Sequence, residues 1–181
     1  MSNDLWIIEQ QLGRPPRGLV NIEVRCPWEY PAVIRVAPLL DNEEPFPTLF
    51  WLTCPILREQ LSRLEERGVI GQIEEEIAHS SELRERYAED HRHYAQERLS
   101  LLSPEENKLL EERGWLKVLR DRGIAGIADL RTVKCLHAHY AHHLARGSTI
   151  GRWLEERFQF VWCPPNEIRC APSADKLSAG R

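Results

Sequence analysis

The sequence predicts an α+β fold: a small antiparallel sheet near the N-terminus packed with a predominantly helical remainder. Runs of β-branched and aromatic residues are confined to residues 19–53. From Pro55 onward, apolar residues recur at helical spacing almost to the end. Glycines, prolines and capping residues fall between these segments and punctuate them.

Residues 4–12 form a short helix on this reading, with Leu5, Ile8 and Leu12 on one face and Gly13 as the stop. Arg14-Pro15-Pro16-Arg17 then imposes an extended link, because proline keeps its predecessor out of the α region. Three strands follow at 19–24, 32–36 and 48–53, and Asp41-Asn42-Glu43-Glu44 turns the chain between the second and third. The first long helix opens at Pro55, carries Ile56, Leu57, Leu61 and Leu64, and ends by Gly68. Helices are expected over 70–78 and 82–101. Another begins at Ser103-Pro104-Glu105-Glu106, where Ser103 caps and Glu106 completes a capping box, and it ends at Gly114. A short piece at 115–121, a helix over 129–145 and a last helix over 149–158 complete the series. Residues 1–170 are expected as a single globular domain, with 171–181 a flexible C-terminal tail.

A chain of 181 residues is long enough to bury a core without a metal or disulfide as its only support. Its net charge of −4 argues against a broad electrostatic grip on nucleic acid. The most apolar window, 45–57, is too short to span a bilayer and contains three prolines, so no membrane association is expected. The opening residues lack the pattern of a secretory signal, and the expected compartment is the cytoplasm. There, five cysteines read as metal ligands, catalytic thiols or small buried residues before they read as disulfides.

Three of the five cysteines precede proline: Cys26-Pro27, Cys54-Pro55 and Cys163-Pro164. With 12 prolines in 181 residues, chance would give well under one such pair. Proline fixes the direction of the preceding residue, which suits a ligand, and Cys-Pro occurs at iron–sulfur cluster ligands. Cys54 falls at the start of a helix, where the dipole is expected to lower a thiol pKa. Cys135 belongs to Lys134-Cys135-Leu136-His137-Ala138-His139-Tyr140-Ala141-His142-His143. On a continuous helix, Cys135, His139 and His142 fall within about 60° of one another. The expected ligand set is therefore Cys26, Cys54, Cys135 and Cys163, with His137, His139 and His142 as alternates or as partners that orient the ligands. Zinc and an iron–sulfur cluster both fit, and the mostly thiolate set tilts toward a cluster. Cys170 is left out, being next to the tail. His91 and His93, at i and i+2, are expected on a solvated face.

Two other readings compete. One is an enzyme with Cys54 or Cys135 as nucleophile and a nearby histidine as base. The other is an interaction protein without a metal, presenting an exposed apolar stripe on the helices between 70 and 115 to a protein partner. No Gly-rich phosphate loop, nucleophile elbow or His-Glu-x-x-His motif is present.

Arg25-Cys26-Pro27, Pro45-Phe46-Pro47-Thr48, Leu52-Thr53-Cys54-Pro55 and Lys134-Cys135-Leu136-His137, with His142 a turn later, together resemble the bacterial family known as domain of unknown function 501. The matching segments span about 25–145. The resemblance implies a small cytoplasmic bacterial protein and carries over no activity. It also implies that histidine can stand at the position of Cys54, which suits zinc or a mixed Cys/His iron site. The stretch from Leu99 to Ile127 is longer and more helical than the family pattern, and the Cys170 segment has no counterpart in it.

Overall fold

The structure is a computed structural model that describes residues 3–41 and 43–171. Helix α1 (Asn3–Leu12) precedes strands β1 (Leu19–Arg25), β2 (Pro31–Val36) and β3 (Phe50–Leu52). Helices α2 (Pro55–Glu66), α3 (Val69–His79), α4 (Ser81–Ser100), α5 (Pro104–Glu112) and α6 (Leu116–Asp121) follow. A short 3-10 turn at Ile124–Gly126 leads toward α7 (Leu136–Arg146) and α8 (Thr149–Arg157). The α+β expectation holds, with the sheet near the N-terminus and helices filling the remainder. Of the expected tail, all but Ala171 lies outside the described residues.

The sheet is antiparallel in the order β1-β2-β3, with Ile22 opposite Ile34 and Val33 opposite Leu52. Strand β2 is central and almost entirely buried, because both of its faces are covered. Ile34 and Val36 point toward α1, where they pack with Ile8, Leu12 and Trp51. Ala32 and Val33 point into the main core, which continues through Leu57, Leu61, Ile73, Tyr87, Tyr94, Leu136 and Leu154. Val33 and its neighbour Ile34 thus feed opposite cores, as the two-residue period requires, while Ala32 near the strand's start joins the main core.

Helix starts are set largely by local chemistry. Ser103 and Glu106 make the reciprocal capping box that the sequence predicts. Pro55 opens α2 directly behind Cys54. The expectation for α7 needs correction. It begins at Leu136, not near 129. Asp129 accepts from the Arg131 N–H at 2.9 Å and folds that segment into a turn. Carboxylates from neighbouring helices then hold the approach to α7. Glu74 accepts from the Val133 N–H at 2.8 Å, and Glu65 from the Leu136 N–H at 2.7 Å. Strand β3 is also shorter than the expected 48–53, because the Leu49 N–H is taken by the Tyr94 hydroxyl at 2.6 Å.

Arg98 on α4 is wholly buried, with no carboxylate partner among the described residues. It donates to the Leu119 and Pro47 carbonyls at 2.8 and 2.6 Å and also reaches the Arg122 carbonyl. Several carbonyl dipoles replace the water it has lost, and they tie α4 to α6 and to the loop before β3.

Candidate metal centre

Cys135 stands just before α7, with extended backbone, so it is not on the helix that carries the histidines. The expected shared face for Cys135, His139 and His142 does not form. The thiol turns toward α2 and meets His137, with Sγ 3.8 Å from Nδ1. Glu65, on α2, brings Oε1 to 3.2 Å from the same Nδ1. One ligand atom from each of Glu65, Cys135 and His137 lies within 4.8 Å of the others, the only such trio of Cys, His, Asp or Glu among the described residues.

The other ring nitrogen explains how the imidazole is held. His137 Nε2 is 3.1 Å from the Arg58 carbonyl oxygen and 3.3 Å from Ser62 Oγ. A carbonyl only accepts, so Nε2 carries the proton and donates. In the neutral ring, the Nδ1 lone pair then faces the space shared by the sulfur and the carboxylate. A Cys-His-acid relay would need the base nitrogen and the acid-bound nitrogen to be different atoms. Here Nδ1 serves both neighbours.

Burial pushes the Cys135 thiol up, but the hydrogen bonds from His137 and the Ala138 N–H, with the charge of His137, outweigh it and hold the thiol below its ordinary value. His137 is raised, chiefly by its hydrogen bond with Cys135, with the Glu65 charge adding to it against desolvation. Cys54 goes the other way from its sequence expectation. Burial pushes its thiol up to about 11, while the Leu57 and Ile56 N–H groups at the helix start pull back without winning. At Cys54 the loss of water outweighs the pull of the helix N-terminus.

Cys135 and His137 line an open cavity of about 810 Å³ between α2, β3 and the approach to α7. Arg14, Arg58 and Lys134 also border it, against a single carboxylate, Glu59. Arg14 lies over the Trp51 ring at 5.0 Å.

The remaining predicted residues go elsewhere. His139 and His142 are buried in the core beside His91, which was expected on the surface. The His91 and His139 rings are 5.9 Å apart, and His142 packs edge-on against Tyr94 at 5.1 Å. Cys26, Cys54 and Cys163 gather around the end of β1, and Cys170 joins them. The Trp28 indole N–H donates to the Cys163 carbonyl at 2.9 Å, and Gln11 Nε2 reaches Cys170 Sγ at 3.1 Å. The expected four-cysteine set is therefore divided: three members lie near Cys170, and Cys135 stands with His137. Glu65 escapes the sequence reading, and Cys170, which that reading leaves out, stands with the other three cysteines. Glu65 reads as a surface charge within Leu64-Glu65-Glu66, yet it stands four residues after buried Leu61, at the edge of the core-facing stripe. Only that offset pointed inward.

Between 70 and 115, Trp115 sits at the border and is the one exposed large apolar side chain among the described residues, so the apolar stripe of the interaction reading is not there. No helix among the described residues is long and apolar enough to cross a membrane.

Comparison with known families finds a match over residues 22–156 to the family described as "Protein of unknown function (DUF501)". No curated protein and no solved structure matches.

Proposed function

The chain belongs to the DUF501 family, and from that premise we propose that it is a metal-binding protein whose Cys135, His137 and Glu65 hold a zinc-class ion facing the cavity. The single observation behind this is the convergence of Sγ, Nδ1 and Oε1 within 4.8 Å, while Nε2 is committed to a backbone carbonyl. An imidazole that ligates through one nitrogen and donates through the other to a carbonyl is the usual arrangement at such sites. Thiolate, imidazole and carboxylate together suit zinc. Three protein ligands leave a fourth position, and the cavity beside Cys135 and His137 supplies access to it. Arg14, Arg58 and Lys134 in the cavity wall favour a small anionic molecule there.

The test is a competition titration with a zinc chelator on the full chain, beside Cys135→Ser and His137→Ala. Stoichiometric zinc in the parent that is lost in both variants supports the reading. Equal zinc affinity in parent and variants ends it.

One observation favours a second reading, in which Cys135 acts as a nucleophile: its Sγ lies 3.8 Å from His137 Nδ1 at the wall of the open cavity. That reading expects rapid alkylation of Cys135 whether or not zinc is present. The metal reading expects zinc to protect it.

A further inference from the structure

Four cysteines from distant parts of the chain surround one short segment, Tyr30–Ala32. The Cys26 N–H donates to the Tyr30 carbonyl at 2.9 Å, and the Cys54 N–H to the Ala32 carbonyl at 3.3 Å. Gln11 Nε2 bonds the Pro31 carbonyl at 2.7 Å and Cys170 Sγ at 3.1 Å, placing Cys170 against the same segment. Trp28, in the turn between Cys26 and Tyr30, fixes the Cys163 backbone through its indole N–H. The thiols are close enough to interact electrostatically: Cys54 with Cys170 and Cys163, and Cys170 with Cys26 and Cys163. All five cysteines of the chain are free thiols, so none of these four is committed to a disulfide.

We propose that Cys26, Cys54, Cys163 and Cys170 together bind an iron–sulfur cluster, at a site separate from the one formed by Cys135, His137 and Glu65. Four thiolates are the full ligand complement of such a cluster. Three of the four precede proline, which fixes the direction of each ligand and removes one backbone donor that would compete for the sulfur. Spacing separates a cluster from a single zinc ion. With Zn–S bonds near 2.3 Å, four sulfurs around one zinc sit about 4 Å apart. No three of these four sulfurs lie within 4.8 Å of one another, a wider spacing than four ligands of a single zinc ion take. Trp28, Tyr30, Phe160 and Trp162 pack against the adjoining core and restrict water around the site. Arg25 and Arg169 stand within electrostatic reach of Cys26 and Cys163 and offset part of the thiolate charge. Cys135 is committed elsewhere, its Sγ turned to His137 and Glu65.

The full chain, purified without oxygen and reconstituted with ferrous iron and sulfide, is expected to bind iron and acid-labile sulfide in equal amounts and to show sulfur-to-iron charge-transfer absorption. Cys163→Ala and Cys170→Ala are expected to lose most of that iron while keeping the parent far-ultraviolet dichroism. Cys135→Ala is expected to retain the iron, so failure here and failure of the zinc reading are told apart. A colourless protein without iron or sulfide after reconstitution overturns the proposal. So does a folded Cys170→Ala variant with full cluster content, zinc as the only metal held by these four residues, or equal iron loss from Cys135→Ala.

Discussion

His137 and His142 lie on the same helix, five residues apart, and meet opposite environments. The His137 ring is surrounded by acceptors, namely the Arg58 carbonyl, the Glu65 carboxylate and the Cys135 sulfur. His142 is packed between Phe50 and Tyr94, and its Nδ1 has no hydrogen-bond partner among the described residues. His137 accordingly holds its proton more tightly than a free histidine, chiefly through Cys135, while burial drives His142 down to about 3. The same residue type becomes a candidate ligand on one side of α7 and a core residue on the other. What separates them is the supply of acceptors, first the Cys135 sulfur and then the Glu65 and Arg58 oxygens, not the depth of burial alone.

The largest effect expected at the ligand side is from His137→Ala, which should weaken zinc binding by at least about 100-fold, more than loss of an orienting partner typically costs. A competition titration reads this, and unchanged affinity would erase the contrast with His142. On the core side, Gly123→Ala should be severe. A Cβ there would lie 2.1 Å from His91 Nδ1, the atom that accepts from the Ile124 N–H at 2.9 Å. The ring is packed and cannot swing clear, so a loss of about 3 kcal/mol is expected in denaturant unfolding, from overpacking and a broken buried hydrogen bond.

Acid should act through the core histidines. Burial lowers His91 to about 4 and His142 to about 3 in the folded protein, against 6.5 as the ordinary value. Below pH 6.5 the unfolded chain takes up protons that the folded one refuses. The stability from these neutral rings is therefore complete above pH 6.5 and is lost progressively as pH falls to about 4 for His91 and about 3 for His142. Replacing His142 with Phe should flatten unfolding free energy against pH across that window by about one proton. An unchanged slope would mean that His142 is protonated in the fold. The smallest effect belongs to Ser62→Ala, which removes a 3.3 Å contact to His137 Nε2 but leaves the Arg58 carbonyl in place. Zinc affinity should change by less than about tenfold, below the usual range for losing an orienting partner outright.

Legibility differed between the elements and the site. Strand positions, the Ser103 capping box and the start of α2 at Pro55 follow from local patterns, because strand alternation and helix caps are short-range effects. The start of α7 did not, because Glu65 and Glu74 from other helices hold its approach. A helix drawn from 129 put Cys135 on the same face as His139 and His142. The true start at Leu136 removes Cys135 from the helix and turns it to α2.

The sequence by itself determined the α+β class and the order of the elements, and it singled out the cysteines and histidines as candidates. Periodicity, capping and the Cys-Pro pairs are all readable within a few residues of each site. Only the tertiary structure decided which thiol meets which partner. It set Cys170 among Cys26, Cys54 and Cys163, and Glu65 beside Cys135 and His137, because those meetings depend on how α2 lies against α7 and on where the chain after α8 returns. Contacts between residues scores of positions apart leave no periodic trace in the chain, and burial, which fixes the state of each thiol and imidazole, exists only once those contacts have formed.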